Sequence, residues 1–124
     1  MRLLHRVGDP HKMILLSAAV EVIQRDKLVP LQVESGKVLL DGLKDLESRY
    51  PGVIRASRGL GTFIATDAPT EAKRDAFVLA MRKAGVLVGG CGESTVRFRP
   101  ALVFEPKHAQ IVVDVMNKVV PTLA

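Results

Sequence analysis

The stretch Val53-Ile54-Arg55-Ala56-Ser57-Arg58-Gly59-Leu60-Gly61-Thr62-Phe63-Ile64-Ala65-Thr66 decides the fold class, because here the helical period of the preceding fifty residues stops. Two short runs, Val53 to Arg58 and Leu60 to Thr66, are rich in β-branched residues and separated near Gly59 and Gly61. That pattern predicts two strands, or one strand with a bulge. Downstream, Pro69-Thr70 opens a predicted helix with Phe77, Ala80, Met81 and Ala84 at core spacing, closed by Gly85. Val86-Leu87-Val88 reads as a buried strand and Gly89-Gly90-Cys91-Gly92 as a flexible turn. From Thr95 to Arg99 the side chains alternate, Val96 and Phe98 one way, Arg97 and Arg99 the other. Glu105-Pro106 begins a last helix with Ile111, Val112, Val115, Met116 and Val119 predicted inward.

Upstream of the stretch lie two helices, at about 10–25 and 31–49. Asp9-Pro10 suits a helix start, since the carboxylate accepts free amide protons and proline's missing N–H had no partner there. Met13, Leu16, Val20 and Ile23 form an apolar stripe that Leu15, Ala19 and Val22 widen, so this helix expects cover on much of its circumference. The second helix carries Val33, Gly36, Leu40, Leu43 and Leu46 on one face and ends at Tyr50-Pro51-Gly52. Two helices followed by strands and helices over 53–120 predict a single α+β domain spanning 1–124, with a small, largely antiparallel sheet covered by helices.

Composition excludes several classes. A chain of 124 residues with 48% hydrophobic and 25% charged residues has the material for one core and is not of the unfolded, highly charged type. No apolar run approaches the roughly 18 residues a membrane-spanning helix needs, so a soluble protein without membrane partners is expected, and the start Met1-Arg2-Leu3-Leu4-His5-Arg6, with neither an apolar signal core nor an amphipathic transit peptide, reads as intracellular. One cysteine, Cys91, permits no internal disulfide, and with three scattered histidines it builds no structural zinc site; no metal is expected. The net charge of +5 favours an acidic partner but lacks the dense basic tracts of a nucleic-acid binder.

The glycine runs at 59–61 and 89–92 lead into strands, whereas a phosphate-cradling turn leads into a helix, so both read as tight turns. Cys91 with His108 lacks a third residue to orient a nucleophilic pair. His5 and His11 read as surface residues near the first helix. Arg97 and Arg99 stand apart: alternation places both guanidinium groups on one face, about 7 Å apart, a geometry that holds carboxylates by paired hydrogen bonds. The competing reading pairs them with acidic side chains of a neighbouring helix or leaves them in water. Arg55, Arg58, Lys73, Arg74, Arg82 and Lys83 read as a solvated basic surface, since the aromatic residues are not interleaved with them.

Several of these segments are familiar together. Gly8-Asp9-Pro10, Arg58-Gly59-Leu60-Gly61-Thr62-Phe63, Gly85-Val86-Leu87-Val88-Gly89-Gly90-Cys91-Gly92 and Val96-Arg97-Phe98-Arg99-Pro100-Ala101-Leu102-Val103-Phe104 resemble, in order and spacing, the C-terminal part of the 4-aminobutyrate aminotransferases, within the pyridoxal-phosphate-dependent class III aminotransferase family. The resemblance runs from Gly8 to nearly the end of the chain. It implies the small C-terminal domain of a fold-type I enzyme, the part that closes over a small amino or keto acid bound to a large domain.

The resemblance also implies what this chain lacks. In the family a large-domain lysine forms the Schiff base with the cofactor and a large-domain aspartate holds the pyridine nitrogen. The lysines here, Lys12, Lys27, Lys37, Lys44, Lys73, Lys83, Lys107 and Lys118, all fall on predicted helices or their flanks, with no apolar strand-end setting to desolvate an amine. No catalytic or cofactor-binding residue is therefore expected here, and the chain alone is expected neither to hold pyridoxal phosphate nor to transaminate. Arg97 is similar in position to the family arginine that reaches the active site, where it binds a substrate carboxylate or pairs with a large-domain glutamate. His5 stands where the family has a threonine that contacts the cofactor phosphate of the neighbouring subunit. The implied partners are the missing large domain or a second subunit, with self-association through the apolar first helix. The implied compartment is the cytoplasm or mitochondrial matrix. A self-contained module binding a small carboxylate or other anion is the alternative, and a basic nucleic-acid-binding domain a more distant one.

Overall fold

The computed structural model describes residues 10–124. The elements run α1 (Pro10–Arg25), α2 (Leu28–Arg49), β1 (Arg55–Leu60), β2 (Phe63–Asp67), α3 (Glu71–Lys83), β3 (Gly89–Cys91), β4 (Thr95–Phe98) and α4 (Pro106–Val119), with a short 3-10 turn over Val120–Leu123. The expected Asp9 cap and His5 lie outside the described residues. The strands form one four-stranded sheet in the order β1-β2-β4-β3, antiparallel at every pairing. This is the α+β fold anticipated from the change of period.

One face of the sheet carries the core. Ile64 and Phe98 are cross-strand partners, as are Thr66 and Val96, and all four side chains are buried. Leu39, Leu43 and Leu46 of α2, Phe77 and Met81 of α3, and Ala109, Val113 and Met116 of α4 close over them. Helical spacing of these residues puts one apolar stripe per helix on the sheet, and the burial of Phe77 and the three leucines is worth roughly 2 kcal/mol each. The opposite face, bearing Phe63, Ala65, Asp67, Thr95 and Arg97, has no helix over it among the described residues.

Several expectations are corrected. The segment Val86-Leu87-Val88 is not a strand: Leu87 is 79% exposed, and β3 is instead built from Gly89, Gly90 and Cys91, expected to be a turn, which pair with Arg97, Val96 and Thr95. Glycine tolerates this because an edge strand needs only backbone pairing, and the reversal falls at Gly92, whose φ of 57° suits a residue without a Cβ. The reversal between β1 and β2 falls at Gly61-Thr62, while Gly59 lies inside β1, whose register shifts between Arg55 and Arg58. Ile111 and Val33 face outward. α2 begins three residues earlier than expected, with Pro30 in its first turn, where proline costs no internal hydrogen bond. Arg74, expected to be solvated, is buried; it pairs with Asp75 at 2.8 Å and Glu71 at 3.1 Å and donates to the Gly92 carbonyl, tying the β3–β4 turn to α3. α1, by contrast, has the bare apolar surface expected of a helix whose cover lies in another domain or subunit: it has no buried residue, and Met13, Ile14, Leu15 and Leu16 are each more than half exposed.

The bulge in β1 is held by one carboxylate. Ala56 takes φ 53°, a left-handed backbone that alanine rarely adopts, and the N–H groups of Ala56 and Ser57 donate to the two oxygens of Glu47 at 2.7 and 3.0 Å. The Ser57 amide hydrogen bond is the main reason that the Glu47 carboxyl is held below its ordinary range, against an opposing effect of burial. A depressed folded-state pKa stabilises above the unfolded value of about 4.3, and that stability disappears as pH falls through the folded value. Glu47→Gln, which keeps one acceptor and turns an amide NH₂ toward the other N–H, is expected to cost about 1–2 kcal/mol at pH 7. In urea denaturation the gap between wild type and variant should close as pH is lowered from about 5 to 3. A gap independent of pH would show that the carboxylate's charge is not what holds the bulge.

Candidate functional site

The uncovered sheet face carries two arginines that have no acidic partner among the described residues. β4 sends Val96 and Phe98 into the core, so Arg97 on the strand and Arg99 just after it project to the other side, as the alternation requires. Arg97 lies between Ala65 on β2 and Gly89 on β3. Both neighbours are small, and at Gly89 the room is used: a Cβ there would approach Arg97 Nε to 3.3 Å. Arg99 is held differently, its guanidinium carbon 5.5 Å from the centroid of the Phe63 ring, a cation–π distance. Of the competing reading, the pairing with a helix acid does not hold among the described residues, whereas the other half does, since both side chains are exposed.

A third arginine on this face is neutralised. Arg58 donates through both terminal nitrogens to Asp67, at 2.9 and 3.1 Å, and Asp67 also accepts from Thr95 Oγ1 at 2.6 Å. The Arg58 hydrogen bonds, with the Thr95 bond and the nearby positive charges behind them, hold the Asp67 carboxyl below its usual range despite partial burial. This bridge spans β1, β2 and β4 and leaves the charge of Arg97 and Arg99 uncompensated beside it. A recess of about 350 Å³ lies over the face, bordered by Arg58, Phe63, Ala65, Cys91, Arg97 and Arg99. A second, wider one of about 540 Å³ runs past Gly89 toward Leu87. Two guanidinium groups beside an aromatic ring, open to solvent, can hold a small carboxylate or an acidic side chain of another domain.

The remaining candidates are elsewhere or otherwise engaged. Cys91 is exposed on the edge strand β3. His108 sits in the first turn of α4, where its Nδ1 accepts the Glu105 N–H at 3.1 Å and its ring packs 5.8 Å from that of Phe104. It serves the helix start, and the two do not form a nucleophilic pair. All eight lysines are exposed on helices or, for Lys27, at the α1–α2 junction, and none borders either recess. Among the described residues no group of three or more His, Cys, Asp or Glu side chains has a metal-binding arrangement. No helix there is long and apolar enough to cross a membrane. What sequence reasoning missed is how the face is framed: Gln32, Ser35 and Thr62, buried polar residues hidden inside otherwise apolar or turn segments, which no spacing rule picks out.

The chain belongs to the class-III aminotransferase family, whose model matches residues 7–120. Among its relatives, the mitochondrial 4-aminobutyrate aminotransferase of Sus scrofa is 42% identical over 113 residues, which is 91% of this chain and 23% of that protein. The 4-aminobutyrate aminotransferase of Dictyostelium discoideum is 45% identical over 102 residues, 82% of this chain and 21% of that protein. The lysine aminotransferase of M. tuberculosis superposes with a TM-score of 0.80 at 30% identity, over 86% of this chain and 24% of that one. The chain thus spans less than a quarter of the length of these curated relatives.

Proposed function

We propose that this chain is the small C-terminal domain of a 4-aminobutyrate-type aminotransferase, and that its uncovered sheet face turns toward an active site built mainly by a large domain outside the chain. The observation that carries the reading is Arg97: a guanidinium on an open sheet face, given room by Gly89 and Ala65 and without a carboxylate among the described residues. In the whole enzyme it would bind the carboxylate of the amino or keto acid, 4-aminobutyrate and 2-oxoglutarate being the substrates that the relatives' names and the sequence resemblance suggest, or pair with an acidic side chain of the large domain. The mitochondrial relatives favour the mitochondrial matrix as its compartment.

Pyridoxal phosphate would supply the electron sink for amino transfer in the whole enzyme, but the residues present here do not fit it. An exposed helical lysine is neither desolvated nor aimed at the arginine face, and among the described residues no buried carboxylate offers a partner for a pyridine nitrogen there. The chain alone is therefore inactive in this reading. The apolar side of α1 fits the same picture, since Met13, Leu15 and Leu16 would be covered by the large domain or a second subunit and would drive self-association in its absence.

Mixing the chain with pyridoxal phosphate, reducing with borohydride and mapping adducts by mass spectrometry tests the inactivity. Scattered, substoichiometric labelling of the exposed lysines is expected, with no amino transfer from 4-aminobutyrate to 2-oxoglutarate. One lysine labelled stoichiometrically, together with an amine-dependent spectral change, would overturn the reading. The 350 Å³ recess beside two unneutralised arginines favours, as a second reading, a module that binds a small carboxylate without cofactor.

A further inference from the structure

Gln32 sits in the second turn of α2 and is 8% exposed. A primary amide is costly to bury unless its groups are paired, and here both ends are used. Nε2 donates to the Leu102 carbonyl at 2.6 Å and more weakly to that of Phe104 at 3.4 Å, while Oε1 accepts from Thr62 Oγ1. Ser35, one turn along the same helix face, donates to the Phe104 carbonyl at 2.7 Å. The amide thus joins two segments far apart in sequence: the β1–β2 turn, which leads directly into Phe63, and the segment 100–104, which follows directly on Arg99.

Phe63 and Arg99 are the two halves of the cation–π contact on the open face. Their strands are already paired from Asp67 against Thr95 to Ile64 against Phe98, the last couple before Phe63 and Arg99, so the sheet does not need Gln32 to pair. What the strands leave undetermined is the direction of their ends, where Phe63 begins β2 and Arg99 lies one residue beyond β4. We propose that Gln32 is a positioning residue for the arginine face: by tying both ends to α2 it sets Arg99 over Phe63 and so presents it beside Arg97. The proposal rests on the anion-binding reading of Arg97 for its functional consequence, but the positioning itself is measurable without any ligand.

The test uses NMR of the chain. Arg99 side-chain protons over the Phe63 ring are expected to be shifted upfield in the wild type, with Phe63→Leu supplying the value without the ring. Gln32→Met, close in size and without polar ends, is expected to move the Arg99 shifts most of the way to that value while the methyl shifts of Val113 and Met116 stay put. Thr62→Ser should keep the wild-type shift and Thr62→Val lose part of it. A folded Gln32→Met variant with wild-type Arg99 shifts overturns the proposal; if that variant does not fold, equal shifts in Thr62→Ser and Thr62→Val overturn it. By calorimetry, 2-oxoglutarate should bind Gln32→Met roughly five- to tenfold more weakly than wild type, the scale of one ordering hydrogen bond. If the wild type alone binds no 2-oxoglutarate, it is the second reading, a module that holds a carboxylate without cofactor, that fails, and the ring-current comparison still decides the role of Gln32.

Discussion

Gly36→Ala is expected to destabilise the chain by about 3 kcal/mol or more, the upper end of overpacking effects. A Cβ at position 36 would fall 1.9 Å from the Gly61 carbonyl oxygen and 2.2 Å from its carbon, and both are backbone atoms of the β1–β2 turn. Relief requires the whole turn to move off α2, taking with it Thr62 and its bond to Gln32. Gly42→Ala supplies the comparison. The nearest atoms to its Cβ would all belong to the Val113 side chain, the methyl groups at 2.5 and 2.8 Å and Cβ at 3.3 Å, and a side chain yields more readily than a backbone turn. Urea denaturation should therefore rank Gly36→Ala well below Gly42→Ala in stability; equal losses would mean that the turn is free to move away from the helix.

If the chain holds a carboxylate by itself, as the second reading has it, Arg97→Ala is expected to weaken 2-oxoglutarate binding by about ten- to a hundredfold, since a charge-assisted hydrogen bond contributes about 1.5–3 kcal/mol. Arg97→Lys should recover only part of this, because an ammonium lacks the planar fork that engages both carboxylate oxygens. Arg58→Gln should matter much less, its charge being neutralised by Asp67. Calorimetry at constant ionic strength reads all three. If Arg97→Ala bound like the wild type while Arg58→Gln lost affinity, the site would lie on the β1 side of the sheet and the role given to Arg97 would be wrong. An affinity lost in proportion to the charge removed, alike at the two positions, would point instead to diffuse attraction by a basic surface.

The sequence was legible in β4 and α3 through the period of their apolar residues, whereas the same helical spacing in α2 and α4 put Val33 and Ile111 inward and both face outward. Alternation from Thr95 to Arg99 identified both the strand and the side on which its arginines stand, and helical spacing in α3 identified Phe77 and Met81 as core. It was misleading where composition and pairing part company. Val86-Leu87-Val88 has strand composition, yet the sheet ends at the glycines beside it, because an edge strand is made by backbone hydrogen bonds to β4 and not by apolar content. Arg74 has the composition of a surface residue, yet Glu71 and Asp75 on its own helix, together with the Gly92 carbonyl, satisfy it under the β3–β4 turn.

By itself, the order of residues determined the helices, the α+β class, the family likeness and the common direction of Arg97 and Arg99, because each follows from local periodicity or from motifs contiguous in the chain. Only the tertiary structure decided that one sheet face is left bare, that Asp67 neutralises Arg58 but not its neighbours, and that Gln32 reaches both Thr62 and Leu102. Those are contacts between residues up to seventy positions apart. They depend on how closely α2 lies on the sheet, and that distance is set by Gly36 against Gly61, two residues without side chains to announce it.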